Sequence, residues 1–439
     1  MRSYYIMSNK IKIAVIGAGN RYLFAYSSYI KKHSNDIELV AIADISEERR
    51  KIVGDFHELK QEQIFSDWKP MLEYIKDKNV NGVFITTSDK DHYLPAMECL
   101  RRGYHLMLEK PMSPNIQECI DMVNLANEKK LIVMVAHVLR YTPFFMKIKE
   151  IIKSGVIGKV QTIAHNENIL AFHMAHSFVR GNWGNSNTSS PIILAKSCHD
   201  LDILVSLVGD DKECTHVAGF GNLGHFKKEC APKGATERCS DKCPVYKTCP
   251  YSVDVYYHLM DKRERSFATV VAPANTKEAL TEALKTSPYG RCVYHCDNNV
   301  CDHMSNIIEF NDGTTVTFEL TAFTDEMSRT IKVMGSHGQI RATTETDTVE
   351  VSVFGAGDGD YKNKNLTVYH PLQEAQKSNP EVSGHDGGDD RFMAGFVSAL
   401  RGETEPFTSA SVSLKSHLMA FALEKSRLEH KVIDMSSFK

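Results

Sequence analysis

The sequence predicts an α/β protein of two domains: a doubly wound parallel sheet, then an α+β domain on a largely antiparallel sheet. Three observations carry that reading. Short apolar strands alternate with helical segments from Lys12 to Ala136. After about residue 140 the alternation gives way to successive strand-like runs of period two. The 439 residues, 42% hydrophobic and 24% charged, are enough to bury two cores.

The chain opens on Lys12 to Ile16, a run apolar enough to be a strand buried on both faces, followed by Gly17-Ala18-Gly19 and a segment able to continue as a helix. Strand, glycine turn and helix form the first half of a dinucleotide-binding βαβ unit of the Rossmann type. Gly17 permits the tight turn, and Gly19 leaves room for a pyrophosphate beside bare backbone. Tyr22 stands where the third glycine of the fingerprint belongs. Glu38 to Asp44 is a second strand ending in a carboxylate. Asp44 is placed to accept hydrogen bonds from an adenosine ribose and to disfavour a 2′-phosphate, which selects NAD. Its alternative role is a helix N-cap before Ser46-Glu47-Glu48.

Further helices are expected over Ser46 to Phe56, Met71 to Lys76, Leu94 to Arg102 and Asn115 to Lys129. Val80 to Thr87, Tyr104 to Leu108 and Leu131 to Ala136 are the intervening strands. The polar loop Ser88 to His92 lies at a strand's carboxyl end, where open α/β sheets bind ligands. These elements give a first domain over 11–140. The second, 141–439, begins with a helix over Thr142 to Ser154. Its strands are Lys159 to Asn166, His216 to Asn222, Ile307 to Phe310, Thr314 to Thr321, Thr330 to Met334, Gln339 to Thr343 and Thr348 to Val353. Asn311-Asp312-Gly313 is a hairpin turn. Helices over Asp389 to Leu400 and Ser409 to Glu429 cover this sheet or pack back on the first domain. About 229–301 reads as an insertion.

Composition excludes several function classes. Net charge is −3, so no basic field recruits nucleic acid or an anionic membrane surface. No apolar run approaches the roughly 18 residues of a membrane span. Met1 to Lys10 lacks a signal peptide's apolar core and reads as a loose tail, with Met7 a second possible start. A cytoplasmic location is expected. The eleven cysteines then serve as thiols or metal ligands in preference to disulfides.

Gly17-Ala18-Gly19 with Asp44, then Asp89 and His92, then Glu109-Lys110-Pro111, then Ser197 to Asp202 together resemble the Gfo/Idh/MocA oxidoreductases, such as glucose–fructose oxidoreductase and inositol dehydrogenase. The resemblance covers nearly all of the chain from Lys12 except the insertion. It implies an open-faced second sheet, a nicotinamide cofactor, a sugar-like or cyclitol substrate, and a homodimer or homotetramer. Cofactor contacts are then expected from Gly17, Gly19, Asn20, Arg21, Asp44, Thr87, Asp89, His92, Glu109 and Lys110. It also implies a cis peptide bond before Pro111.

Moving a hydride from a carbinol carbon needs a base for the hydroxyl proton and a cation for the developing oxyanion. Lys110, at a strand end, suits the cation. His199 suits the base, because imidazole exchanges protons near neutral pH. Asp202 falls on the same helical face and is able to orient the ring or reach substrate. Many relatives carry an aspartate four residues before this histidine. Here Ala195 stands there, with Lys196 beside it, which alters the local charge. That departure keeps two other readings open: an NAD-dependent glycoside hydrolase working by transient oxidation and elimination, and a non-catalytic NAD-binding sensor.

A polar–aromatic run from Ala171 to Trp183 is the candidate substrate segment, with His176, Arg180 and Trp183 as contacts and Lys196 nearby in sequence. Arg140 is placed near the nicotinamide, or in a structural bond. The insertion holds seven cysteines, and Cys239-x3-Cys243-x5-Cys249 does not match the tight C-x2-C knuckle. With few apolar residues for a core, the insertion points to a structural zinc on Cys239, Cys243, Cys249 and Cys292, or Cys296 as fourth ligand. An iron–sulfur cluster and ordinary thiols or disulfides are the alternatives.

Overall fold

Ile13, Ala14 and Val15 are wholly buried, as an apolar run must be when both faces of its sheet are covered. They lie in β1 (Ile11–Ile16), which pairs in parallel with β2 (Ile37–Ala43) on one side and β4 (Gly82–Ile85) on the other. With β3 (Ile64–Phe65), β5 (His105–Leu108) and β6 (Val133–Val135) the order is β3-β2-β1-β4-β5-β6, all parallel. The chain therefore switches direction beside β1, where such sheets bind ligands. The computed structural model describes residues 10–260, 262, 265–355, 365–378 and 384–438. The tail expected over Met1 to Lys10 lies outside these, save Lys10.

Side chains alternate between the two faces. Ala14, Ile16, Val83, Ile85, Leu106 and Leu108 pack on the helices Trp68–Ile75, Tyr93–Arg101 and Ile116–Lys129. Ile13, Val15, Phe84, Met107 and Met134 face Tyr22, Tyr26, Phe392 and Phe396. Tyr22 in place of the third glycine is wholly buried, and the turn that it opens is π-wound over Tyr22–Ser27.

The chain forms two compact units, over 1–158, 198–213 and 368–421, and over 159–197, 214–367 and 422–439. This differs from a single boundary near residue 140. The cause is apolar packing: Phe392, Met393, Phe396 and Val397 of the Gly388–Leu400 helix join the first unit's core.

The second unit's sheet has the order β14-β13-β12-β11-β7-β10-β9-β8-β15. Its strands are β7 (Val160–Ile169), β8 (Cys214–Asn222), β9 (His303–Phe310), β10 (Thr315–Thr321), β11 (Met327–Gly335), β12 (Gly338–Thr343), β13 (Thr348–Val353), β14 (Leu366–Tyr369) and β15 (Ile433–Asp434). Most neighbours are antiparallel, while β10 and β7 run parallel. Along β9, Met304, Asn306, Ile308 and Phe310 are buried and Ile307 is exposed, the period-two pattern of a half-covered sheet.

The insertion does build a core, against expectation. Val253, Tyr256, Val271, Leu280 and Leu284, from three helices and their flanks, cluster with Phe172 and Tyr289 packed against them. Aromatic rings supply the area that its aliphatic content lacks. Among the described residues no helix is long and apolar enough to cross a membrane.

Candidate active site

The glycine turn is built as its sequence requires. Gly17 has φ of +97°, and a Cβ there would lie 2.6 Å from the Thr86 backbone carbon. At Gly19 the nearest atom to an added Cβ is Nη1 of Arg49, 3.7 Å away, so the backbone stands open to a ligand. Asp44 braces this turn. Its Oδ2 accepts the Ala18 N–H at 2.6 Å and its Oδ1 the Ser46 N–H at 2.8 Å. The cap of the following helix is Ser46 instead, whose hydroxyl accepts from Arg49 N. Arg50 donates to the carbonyls of Asp44 and Ile45. Asn20 begins the helical turn and is half-buried.

Arg21 turns away from the open backbone. Its Nε donates to Glu109 at 2.6 Å, and its Nη1 and Nη2 grip both carboxylate oxygens of Asp389 at 3.1 and 2.6 Å. The Tyr26 hydroxyl also donates to Glu109. The guanidinium, together with His385, holds the Asp389 carboxyl well below the usual range despite burial. Glu109 is lowered too: burial pushes it up, but Arg21, Tyr26 and Lys110 outweigh burial. Half-buried Arg21 and buried Glu109 thus form a structural ion pair.

Lys110 follows at the end of β5, half-buried, with the Lys110–Pro111 bond cis. Its backbone N–H reaches Glu109 Oε2 at 3.1 Å. His92, almost fully buried, has its Nδ1 2.8 Å from the Pro111 carbonyl and its Nε2 3.2 Å from that of Thr87, so it ties the loop after β4 to the proline turn. Thr87 in turn donates to the Asp91 carbonyl, and Asp89 beside it is buried.

Two histidines that the sequence reading did not single out complete this edge. His417 caps the same turn by accepting the Met112 N–H. His137 is wholly buried, and neither ring nitrogen has a hydrogen-bond partner among the described residues. Its ring meets His199 edge-on at 5.6 Å and His417 at 5.5 Å. Burial, then the charges of Arg140 and Lys110, hold His137 well below the ordinary imidazole range. Burial likewise pushes His417 down to about 3. Their contacts join segments far apart in sequence, so no local motif announces them. His199, 7% exposed, lies in the Cys198–Val208 helix with its ring 6.2 Å from that of His385.

Asp202 pairs with Arg140 and is not seen to orient His199, and Arg140 makes the structural bond that was its alternative role. Arg140 forms a two-pronged pair with both Asp202 oxygens at 2.5 and 2.8 Å, and bonds Asp210 at 2.7 Å. Both groups are almost completely buried. A buried guanidinium needs such a partner, and the pairing consumes its donors.

In the second unit, Lys196 lies 3.0 Å from Glu167 of β7, which also pairs with Arg329. The charge that Lys196 brings is therefore offset locally. His176 is a core residue: it hydrogen-bonds Tyr256 at 2.8 Å and stacks on Tyr289, and burial lowers its pKa to about 3. Arg180, 4% exposed, donates to the carbonyls of Arg291 and Tyr251. Neither is presented as a sugar contact, because the insertion's core covers them. Trp183 is 37% exposed.

All eleven cysteines are unpaired by disulfides. The zinc expected on Cys239, Cys243, Cys249 and Cys292 is not supported: among the described residues no three His, Cys, Asp or Glu side chains are arranged to hold one metal ion. Cys296 points its thiol to the Cys292 carbonyl instead.

Comparison with known proteins agrees with this fold. Residues 11–137 match the oxidoreductase family's NAD-binding Rossmann fold, and 149–435 its C-terminal alpha/beta domain. YteT of Bacillus subtilis (strain 168) is 22% identical over 83% of this chain and 84% of its own length. A myo-inositol 2-dehydrogenase of Thermotoga maritima is 26% identical over 46% of this chain, which spans only 56% of that relative. Among solved structures, a levoglucosan dehydrogenase in complex with NADH and L-sorbose superposes with TM-score 0.70 at 17% identity, over 97% of this chain and 99% of that one. The WlbA dehydrogenase of Bordetella pertussis, with NADH and UDP-GlcNAcA, gives 0.67 at 17% identity over 98% and 99%. With both halves matched, the chain belongs to the Gfo/Idh/MocA family of NAD-binding oxidoreductases.

Proposed function

We propose that the chain transfers a hydride between NAD and a hydroxyl-bearing carbon of a sugar, glycoside or cyclitol, with Lys110 and His199 as catalytic residues. One observation carries the assignment of residues. Lys110 follows the end of β5, and His137, whose ring packs against that of His199 at 5.6 Å, follows the adjacent strand β6. The names of the inositol and levoglucosan dehydrogenases supply the substrate class.

The residues at the glycine turn fit a dinucleotide, since Gly19 leaves the backbone open and Asp44 has carboxylate lone pairs beyond those taken by Ala18 and Ser46. NAD, when bound, supplies the hydride acceptor. His199 takes the hydroxyl proton as the carbinol C–H bond breaks. Lys110 stabilises the oxygen's developing negative charge. Glu109, fixed by Arg21 and Tyr26, steadies the strand end from which Lys110 projects. Trp183 and Lys196 are the second unit's candidate substrate contacts. Asp44 favours NAD over NADP, and the working form is a cytoplasmic homodimer or homotetramer.

The test is NADH formation from NAD with a panel of polyols, sugars and glycosides, together with native mass. Steady NADH production that requires Lys110 and His199 is expected. Glycoside cleavage without net NADH would replace this reading with transient oxidation and elimination. NAD binding without any turnover would replace it with a sensor.

A further inference from the structure

We propose that His385, held by Asp389, relays the reaction's proton between His199 and solvent, a step that rests on the reading of His199 as the base. Each hydride passed to NAD leaves one proton on His199. That side chain is only 7% exposed, and it must lose the proton before the next turnover. One neighbouring ring, that of His137, offers no exit. It is wholly buried and packs on His417, whose two nitrogens are committed to Met112 and Ser413. The ring of His385 lies 6.2 Å from that of His199, and 43% of its side chain is exposed. One water spans such a gap between two ring nitrogens.

Asp389 sets which nitrogen His385 offers. Its oxygens lie 3.1 and 3.2 Å from Nδ1, and Nη1 of Arg21 lies 3.3 Å from the same atom. Nδ1 cannot donate to the carboxylate and accept from the guanidinium at once. The carboxylate is nearer, its pKa is held low so that it only accepts, and Nη1 already donates to its Oδ2. Nδ1 therefore carries the hydrogen, which leaves the Nε2 lone pair to take a proton.

The backbone that presents this ring is strained. His385 and Asp386 have φ of +48° and +52°, a region that residues with side chains seldom adopt, before Gly387 at +84°. Strain of that kind persists where contacts over-determine it, and it collects at functional sites. Here Arg21 fixes Asp389, and Gly388 packs so closely that a Cβ on it would stand 2.6 Å from the carbonyl oxygen of Val138, the residue after His137.

The proton's path balances. As the carbinol C–H pair leaves for the nicotinamide, His199 takes the hydroxyl proton. The proton passes through the water to Nε2 of His385, and from there to buffer. The Asp389 carboxylate offsets the imidazolium's charge while it lasts. Reduction runs the same path inward.

The full-length chain with NAD and myo-inositol, D-glucose or levoglucosan tests this. His385→Asn tolerates a left-handed backbone and should lower kcat about 10²-fold with KM nearly unchanged. Added imidazole should restore most of that loss and leave the unmodified chain unaffected. NADH binding checks the fold of the variant. Unchanged kcat in it, while His199→Ala is inactive, would overturn the relay alone, and so would a loss that imidazole leaves in place. Full turnover in His199→Ala, or none on any of the three substrates, would remove the reading of the site and the relay with it. Should the variant not fold, nitrogen NMR of labelled histidines in the unmodified chain decides. The neutral His385 ring should carry its hydrogen on Nδ1, and a hydrogen on Nε2 would overturn the proposal.

Discussion

His417 accepts the backbone N–H of Met112 through Nε2 at 2.9 Å, while its Nδ1 donates to the Ser413 carbonyl at 2.8 Å. One nitrogen accepts and the other donates, so the ring is neutral in the folded chain. Burial pushes its pKa from the usual 6.5 down to about 3. Once unfolded the ring binds a proton below about 6.5. The resulting stability is present above that pH and is lost progressively as pH falls toward 3. Thermal unfolding should therefore drop steeply between pH 7 and 4, and His417→Gln should flatten that slope. An unchanged slope in the variant would remove His417 from the account.

Lys110→Met should bind NADH nearly as well as the unmodified protein and turn over about 10²–10³-fold more slowly, the usual loss for one oxyanion donor. Initial rates beside fluorescence titration separate the two effects. Unimpaired turnover would make Lys110 an ordinary strand-end lysine.

NADH should bind more tightly than NADPH, because the Asp44 carboxylate repels a 2′-phosphate. Asp44→Asn should narrow that preference. It should also cost stability, since the same side chain braces Ala18 and Ser46. Parallel titrations with both cofactors check it, and equal affinity in the unmodified protein would refute it.

Arg140→Ala leaves the Asp202 carboxyl buried without its fork. A loss of about 3–5 kcal/mol of stability is expected from breaking one side of such a pair. Denaturant unfolding measures it. A selective loss of NAD affinity at full stability would restore Arg140 as a cofactor residue.

Much of the fold was legible because it rests on local periodicity. β1, β2 and β4 announce themselves as apolar runs, and β9 as strict alternation. Glu109-Lys110-Pro111 was legible as a motif. Arg140, Asp202, His176 and Arg180 were harder, since a charge or ring buried for structural pairing has the same letter as one held out for a ligand. Only their partners, Asp210, Tyr256 and Tyr251, decide, and those lie far along the chain. His137 and His417 escaped for the same reason.

The grip of Arg21 on Glu109 and Asp389 constrains the order in which the protein can mature. Asp389 and the Phe392–Phe396 packing surface are synthesised only after the segments from β7 to β14 have been made. A nascent chain that has just emitted β1 to β6 thus holds the glycine turn with Arg21 lacking one of its two carboxylates and with the part of one sheet face under Phe392 and Phe396 uncovered. Domains that fold as they leave the ribosome do so from the N-terminus onward. This first unit must wait for its final helices, and 11–137 expressed alone should behave as an aggregation-prone fragment.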